Sequence, residues 1–143
     1  MWVDDLCALY ASHLRGHLFS GFLSLSGFLL VLNWTLIIWL ERIVYSTIEY
    51  EERYRDSVEL GNSRMPYEPL RNMSQLGFIS GFTALVTGVL QVTIGLCPSH
   101  WATFVCLAAA SATILMALFY AYEVHRNLQV WLSYCEQKGF PKR

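Results

Sequence analysis

From Asn72 to Tyr122 the chain carries no Lys, Arg, Asp or Glu, and this property limits its fold more than any motif does. A spanning helix needs about 20 apolar residues at roughly 1.5 Å rise each. The stretch is therefore too long for one such helix and suits two. Cys97-Pro98-Ser99-His100 lies near its middle, where proline ends one helix and opens the next. A second charge-free stretch runs from Gly16 to Leu40, between Arg15 and Glu41-Arg42. The reading is three transmembrane helices, over 18–40, 75–96 and 101–122. Composition agrees, because only 15% of the residues are charged against about 25% in soluble domains. The predicted class is an all-α integral membrane protein, with residues 1–143 forming a single membrane domain.

A secretory leader fits the N-terminus poorly. Asp4 and Asp5 sit in its head, and the apolar run exceeds the roughly 7–15 residues of such a core. The first span is expected to be retained, with residues 1–16 as an amphipathic outer head.

Three spans put the head and the 97–100 turn on one side. They put 41–74 and the tail after 122 on the other. Of the ten Lys and Arg residues, only Arg15 falls on the first side. Basic residues favour the cytoplasmic face, so the expected topology is N-terminus outside and C-terminus cytoplasmic, in a bacterial inner membrane or an organelle membrane. The patterns Asn33-Trp34-Thr35 and Asn72-Met73-Ser74 match a glycosylation acceptor. One then lies within the bilayer and the other on the cytoplasmic side, so neither is expected to be used. Cys7 and Cys97 share the outer face, where they are candidates for a disulfide in an oxidising compartment.

Outside the bilayer, residues 41–60 read as a helical extension of the first span. Ile43, Val44, Thr47, Tyr50, Tyr54 and Val58 recur at helical spacing, and Gly61-Asn62 supplies a stop. A helix over 18–60 would be about 64 Å long. The return loop, 61–74 with Pro66 and Pro69, must then climb back to the second span, and 61–73 reaches about 43 Å when extended. The tail helix, 123–138, carries Val124, Leu128, Trp131, Leu132 and Cys135 on one face. The first and third spans are thus expected to extend into a short cytoplasmic helical stalk.

Lipid tails give helices no hydrophobic reason to associate, so contact faces are marked by small and polar residues. In the second span Gly77, Gly81, Ala84, Gly88, Gln91 and Gly95 form such a stripe, and Ala102, Cys106, Ala109, Thr113 and Ala117 answer it in the third. Asn33, in the first span, is expected to meet another helix or another subunit, since a carboxamide facing lipid is costly. A more polar stripe on the first span joins His13, His17, Ser20, Ser24, Gly27, Thr35, Arg42 and Glu49, with Val31 and Ile38 in the gaps. One reading is a further packing seam whose hydroxyls bond their own helix. The other is that copies of this helix surround a water-filled path, because hydroxyl and charged rings select ions in pores.

Much chemistry is excluded. The spans hold no Asp, Glu, Lys or Arg for a coupled carrier. His13 and His17 have the spacing of a metal pair but no third ligand nearby, so no metal site is expected. Nucleophile-elbow, HExxH, Walker and dinucleotide patterns do not occur, so neither catalytic residues nor a cofactor are expected. The net charge of -1 recruits no nucleic acid. The expected function is a homo-oligomeric membrane protein forming an ion-conducting pore lined by His17, Ser20, Ser24, Gly27, Val31, Thr35, Ile38 and Arg42. The alternative is a non-catalytic anchor or assembly subunit, with other membrane subunits as its partners.

Overall fold

The computed structural model describes residues 2–61, 67–97 and 99–137. Several residues invoked above lie outside the described ones: Asn62, Pro66, Pro98 and position 138, together with the side chains of Asp4, Glu49, Trp131 and Cys135. Among the described residues the chain is all-helical. Helix α1 (Trp2–Leu9) runs through a π-helical turn (Tyr10–Leu14) into α2 (Arg15–Leu40), which ends in a second π-helical turn (Glu41–Tyr45). A short α3 (Ile48–Glu59) follows. Helix α4 (Glu68–Val92), a 3-10 turn (Ile94–Leu96) and the long α5 (His100–Gln137) complete the chain. Three segments are long and apolar enough to cross a membrane, Cys7–Tyr45, Glu68–Leu96 and His100–Val130.

Two boundaries differ from the sequence reading. The helix expected to run unbroken to residue 60 breaks at Ser46-Thr47. Ser46 sits at φ -96°, ψ 16° and Thr47 is extended at φ -94°, ψ 147°. Thr47 Oγ1 accepts from the Tyr50 amide at 3.4 Å and donates to the Val44 carbonyl at 2.7 Å. The hydroxyl thus satisfies one of the amides that every helix start leaves unpaired. Helix α3 then stops at Gly61, whose φ of +86° is a left-handed conformation that favours glycine. The second difference is that Glu68–Ser74 are helical where a return loop is expected. Pro69 lies in the first turn of α4, where its missing N–H costs nothing and its fixed φ suits the helix.

Helix α4 is central, packing on α2 along one side and on α5 along another. Near the 41–74 loop, Leu29, Leu40, Val44, Tyr45, Leu70, Met73 and Tyr120 form one buried cluster. Phe22, Ala84 and Ala110 form another. Tyr45 fixes the turn after α2, its ring meeting Tyr50 edge-on at 4.7 Å and lying 5.9 Å from Tyr67. Burial, then the neighbouring Tyr45 and Tyr67, push the Tyr50 phenol up to about 12, so it stays neutral at ordinary pH. On α5, Val124 and Leu128 are half-buried against the first cluster. Val130 and Leu132 beyond them are exposed.

Replacing Thr47 with Ala removes both hydroxyl bonds and should destabilise the start of α3 by about 1 kcal/mol. Faster amide exchange at Tyr50 and Glu51, with exchange in α4 unchanged, is the expected readout.

Candidate functional site

Helix α2 has two unlike faces. Phe22, Ser26, Leu29, Asn33 and Leu40 are buried. His17, Ser20, Ser24, Gly27, Val31, Thr35, Ile38 and Arg42 are all exposed. At about 100° per residue the exposed set is centred roughly 180° from the buried set. Nothing in the chain lies within 4 Å of where a Cβ on Gly16 or Gly27 would stand. The Ser20 hydroxyl donates to the carbonyls of Gly16 and His17, and Thr35 donates to Val31. Their donors are satisfied within the helix, while their oxygens can still accept. Val31 and Ile38 on this face are large and apolar, and Phe28, Trp34 and Trp39 are exposed beside it. Helix α4 presents Phe78, Ile79, Phe82, Val86 and Val89, and α5 presents Phe104, Val105, Leu115, Leu118 and Phe119.

The buried face of α2 meets α4 through polar pairs. Asn33 Nδ2 donates to the Ser74 carbonyl at 3.2 Å, and the Tyr120 hydroxyl donates to Asn33 Oδ1 at 3.2 Å. Gly77 makes this possible. A methyl group there would overlap the Asn33 amide, with Cγ at 2.6 Å, and would meet the Tyr120 ring at 2.9 Å. Gly81 is pressed by Leu30 in the same way, at 2.8 Å. Farther along α4, the Thr87 and Thr113 hydroxyls share a bond at 2.7 Å. The Tyr10 hydroxyl donates to Gln91 Oε1 at 2.6 Å, and Gln91 Nε2 donates to the Cys106 carbonyl at 3.2 Å. A Cβ on Gly95 would meet the Tyr10 hydroxyl at 2.6 Å. Gly77, Gly81, Ala84, Gly88, Gln91, Gly95 and Asn33 are thus all buried. The sequence reading missed Tyr120, and it left Tyr10 in a head that is either an interfacial helix or the first turns of the first span. A phenol inside a charge-free run was the available signal, since a buried hydroxyl needs a partner.

At the head end, a cavity of about 310 Å³ lies between the first π-helical turn, the 3-10 turn and the start of α5. Cys7, Arg15, Cys97, His100 and Thr103 are among its lining residues. Cys7 and Cys97 are free thiols. Cys7 Sγ lies 3.2 Å from His100 Nδ1. At the other end, a groove of about 420 Å³ between α4 and α5 holds Glu68, Glu123, Arg126 and Asn127. Glu123 and Arg126 pair there at 3.5 Å. Among the described residues, no three His, Cys, Asp or Glu side chains come together as a metal would require. No protein-family model, curated protein or solved structure matches the chain.

Gly77→Ala should destabilise the bundle by about 1–3 kcal/mol through overpacking, while Gly88→Ala, whose new methyl meets its nearest neighbour at 3.5 Å, should be tolerated. Tyr120→Phe should cost roughly 0.6 kcal/mol, the scale of one interhelical hydrogen bond in such a setting. Unfolding in mixed detergent micelles measures all three.

Proposed function

We propose that the protein is a homo-oligomeric membrane channel in which the exposed polar face of α2 lines an ion-conducting path. The observation that carries this is the placement of that face. It lies opposite the surface that packs on α4, and it gathers Ser20, Ser24, Gly27 and Thr35 on one exposed stripe with Val31 and Ile38 between them. Hydroxyls and glycines facing lipid waste their capacity to pack or to bind, so copies of the chain meeting along α2 cover them. Ring-arranged Ser20, Ser24 and Thr35 oxygens would then replace part of an ion's hydration. His17 stands toward one mouth of the path and Arg42 toward the other.

In this reading the three long helices span the bilayer, with the head outside and the basic loop and tail cytoplasmic. Membranes of either a bacterial cell or an organelle fit that arrangement. Helix α3 and the end of α5 form short cytoplasmic projections. The bonds from Ser20 and Thr35 back to their own helix favour a second reading. They leave a smooth surface suited to an unlike membrane protein, which would make the chain a non-catalytic subunit of a larger complex.

Gly27→Phe and Ser24→Phe separate the two. Each side chain is exposed in the isolated chain, so the fold tolerates the change. The channel reading expects altered single-channel conductance in reconstituted bilayers with the oligomer's mass preserved. Unchanged currents, or co-purification of different chains in place of a ring of identical ones, count against it.

A further inference from the structure

Arg15, the one basic residue that the sequence places among the head-side charges, does not reach freely into solvent. It is half-buried in the wall of the 310 Å³ head-end cavity. Its hydrogen bond among the described residues is long, Nη1 donating to the Gly95 carbonyl at 3.4 Å. A guanidinium carries five N–H donors and keeps its charge at any working pH. None of the described residues lining the cavity is acidic, and Asp5 on α1 is exposed. A cation partly withdrawn from water and, among the described residues, short of acceptors is costly unless a counter-charge completes it.

The rest of the wall suits an anion. Ser99 and Thr103 bring hydroxyls to the same space, and His100, whose Nδ1 lies 3.2 Å from Cys7 Sγ, brings its ring to the wall. His100 and Thr103 belong to the first turn of α5 and Ser99 directly precedes it, so the positive end of a long helix opens there. The Tyr10 hydroxyl is already committed to Gln91, which leaves the outer wall to do the binding. Size then narrows the anion. A halide or a lone carboxylate leaves most of the cavity unfilled, whereas a phosphate with its ester substituent occupies more of it and matches the planar fork of arginine. The cavity also lies at one end of three helices of membrane-spanning length, the depth at which lipid phosphates would sit.

We propose that this cavity is a binding site for a phosphate-ester anion, with Arg15 as its main charge partner and Ser99, His100 and Thr103 completing the wall. It stands apart from the channel reading, because none of these residues belongs to the exposed face of α2 that would line the path.

Thermal unfolding of the full chain in neutral detergent tests it, with phosphatidylglycerol, inorganic phosphate and diacylglycerol as separate additions. A saturable rise in Tm with phosphatidylglycerol, absent with diacylglycerol, supports a lipid headgroup. The same rise with inorganic phosphate alone supports a soluble source. Either rise should need about tenfold or more ligand in Arg15→Gln, while Arg15→Lys, which keeps the charge and loses the fork, should fall between the two. Should Arg15→Gln fail to fold, His100→Ala carries the test, since His100 is exposed and its loss should weaken the same response. No rise with either phosphate source, an equal rise with diacylglycerol, or a rise unaffected by both Arg15→Gln and His100→Ala overturns the proposal.

Discussion

The bundle depends on how closely the backbone of α4 approaches its neighbours. Glycine at 77 lets the Asn33 amide lie against α4, and only from there can it reach the Ser74 carbonyl and accept from Tyr120. Glycine at 95 makes the same room for the Tyr10 hydroxyl, which Gln91 accepts. In apolar surroundings these polar groups find no water, so each must have a partner inside the protein. Close approach and hydrogen bonding are therefore one requirement. Among the described residues, no buried side-chain nitrogen or oxygen of a residue that is not itself exposed lacks a partner.

The same requirement divides α2. Its Phe22, Ser26, Leu29, Asn33 and Leu40 side is taken up by α4 and α5. The opposite side, from His17 to Arg42, has no neighbour within the chain at its glycines and keeps the Ser20 and Thr35 hydroxyls against its own backbone. One helix thus serves two surfaces, the first holding the chain together and the second available for a partner. The proposed channel and the alternative of a mixed complex both draw on that second surface. They differ in whether water reaches it.

Much of this was legible because charge and small-residue spacing act over long stretches. The missing charges between Asn72 and Tyr122, with proline near the middle, mark two helices without reference to contacts. The run from Gly77 to Gly95 marks the crowded face of α4. What escaped was local or paired. Thr47 followed by Glu49, Glu51 and Glu52 is a helix-start signal, but the apolar spacing through Val44, Thr47 and Tyr50 reads across it as one continuous helix. Pro69 looked like loop, although in a first turn it opens α4. Tyr120 finds Asn33 across a large separation in sequence, and no spacing rule on one helix announces a partner on another.

Accessibility of single cysteines along α2 tests the central claim most directly. In a background without the native cysteines, Ser20→Cys, Ser24→Cys, Gly27→Cys and Val31→Cys should react with a charged, water-soluble thiol reagent in intact membranes. Phe22→Cys and Leu29→Cys, on the buried side, should not. Reaction recurring every three or four residues along one face is the result expected of a water-filled path. Protection at both Ser24 and Gly27, or reaction spread evenly around the helix, contradicts it.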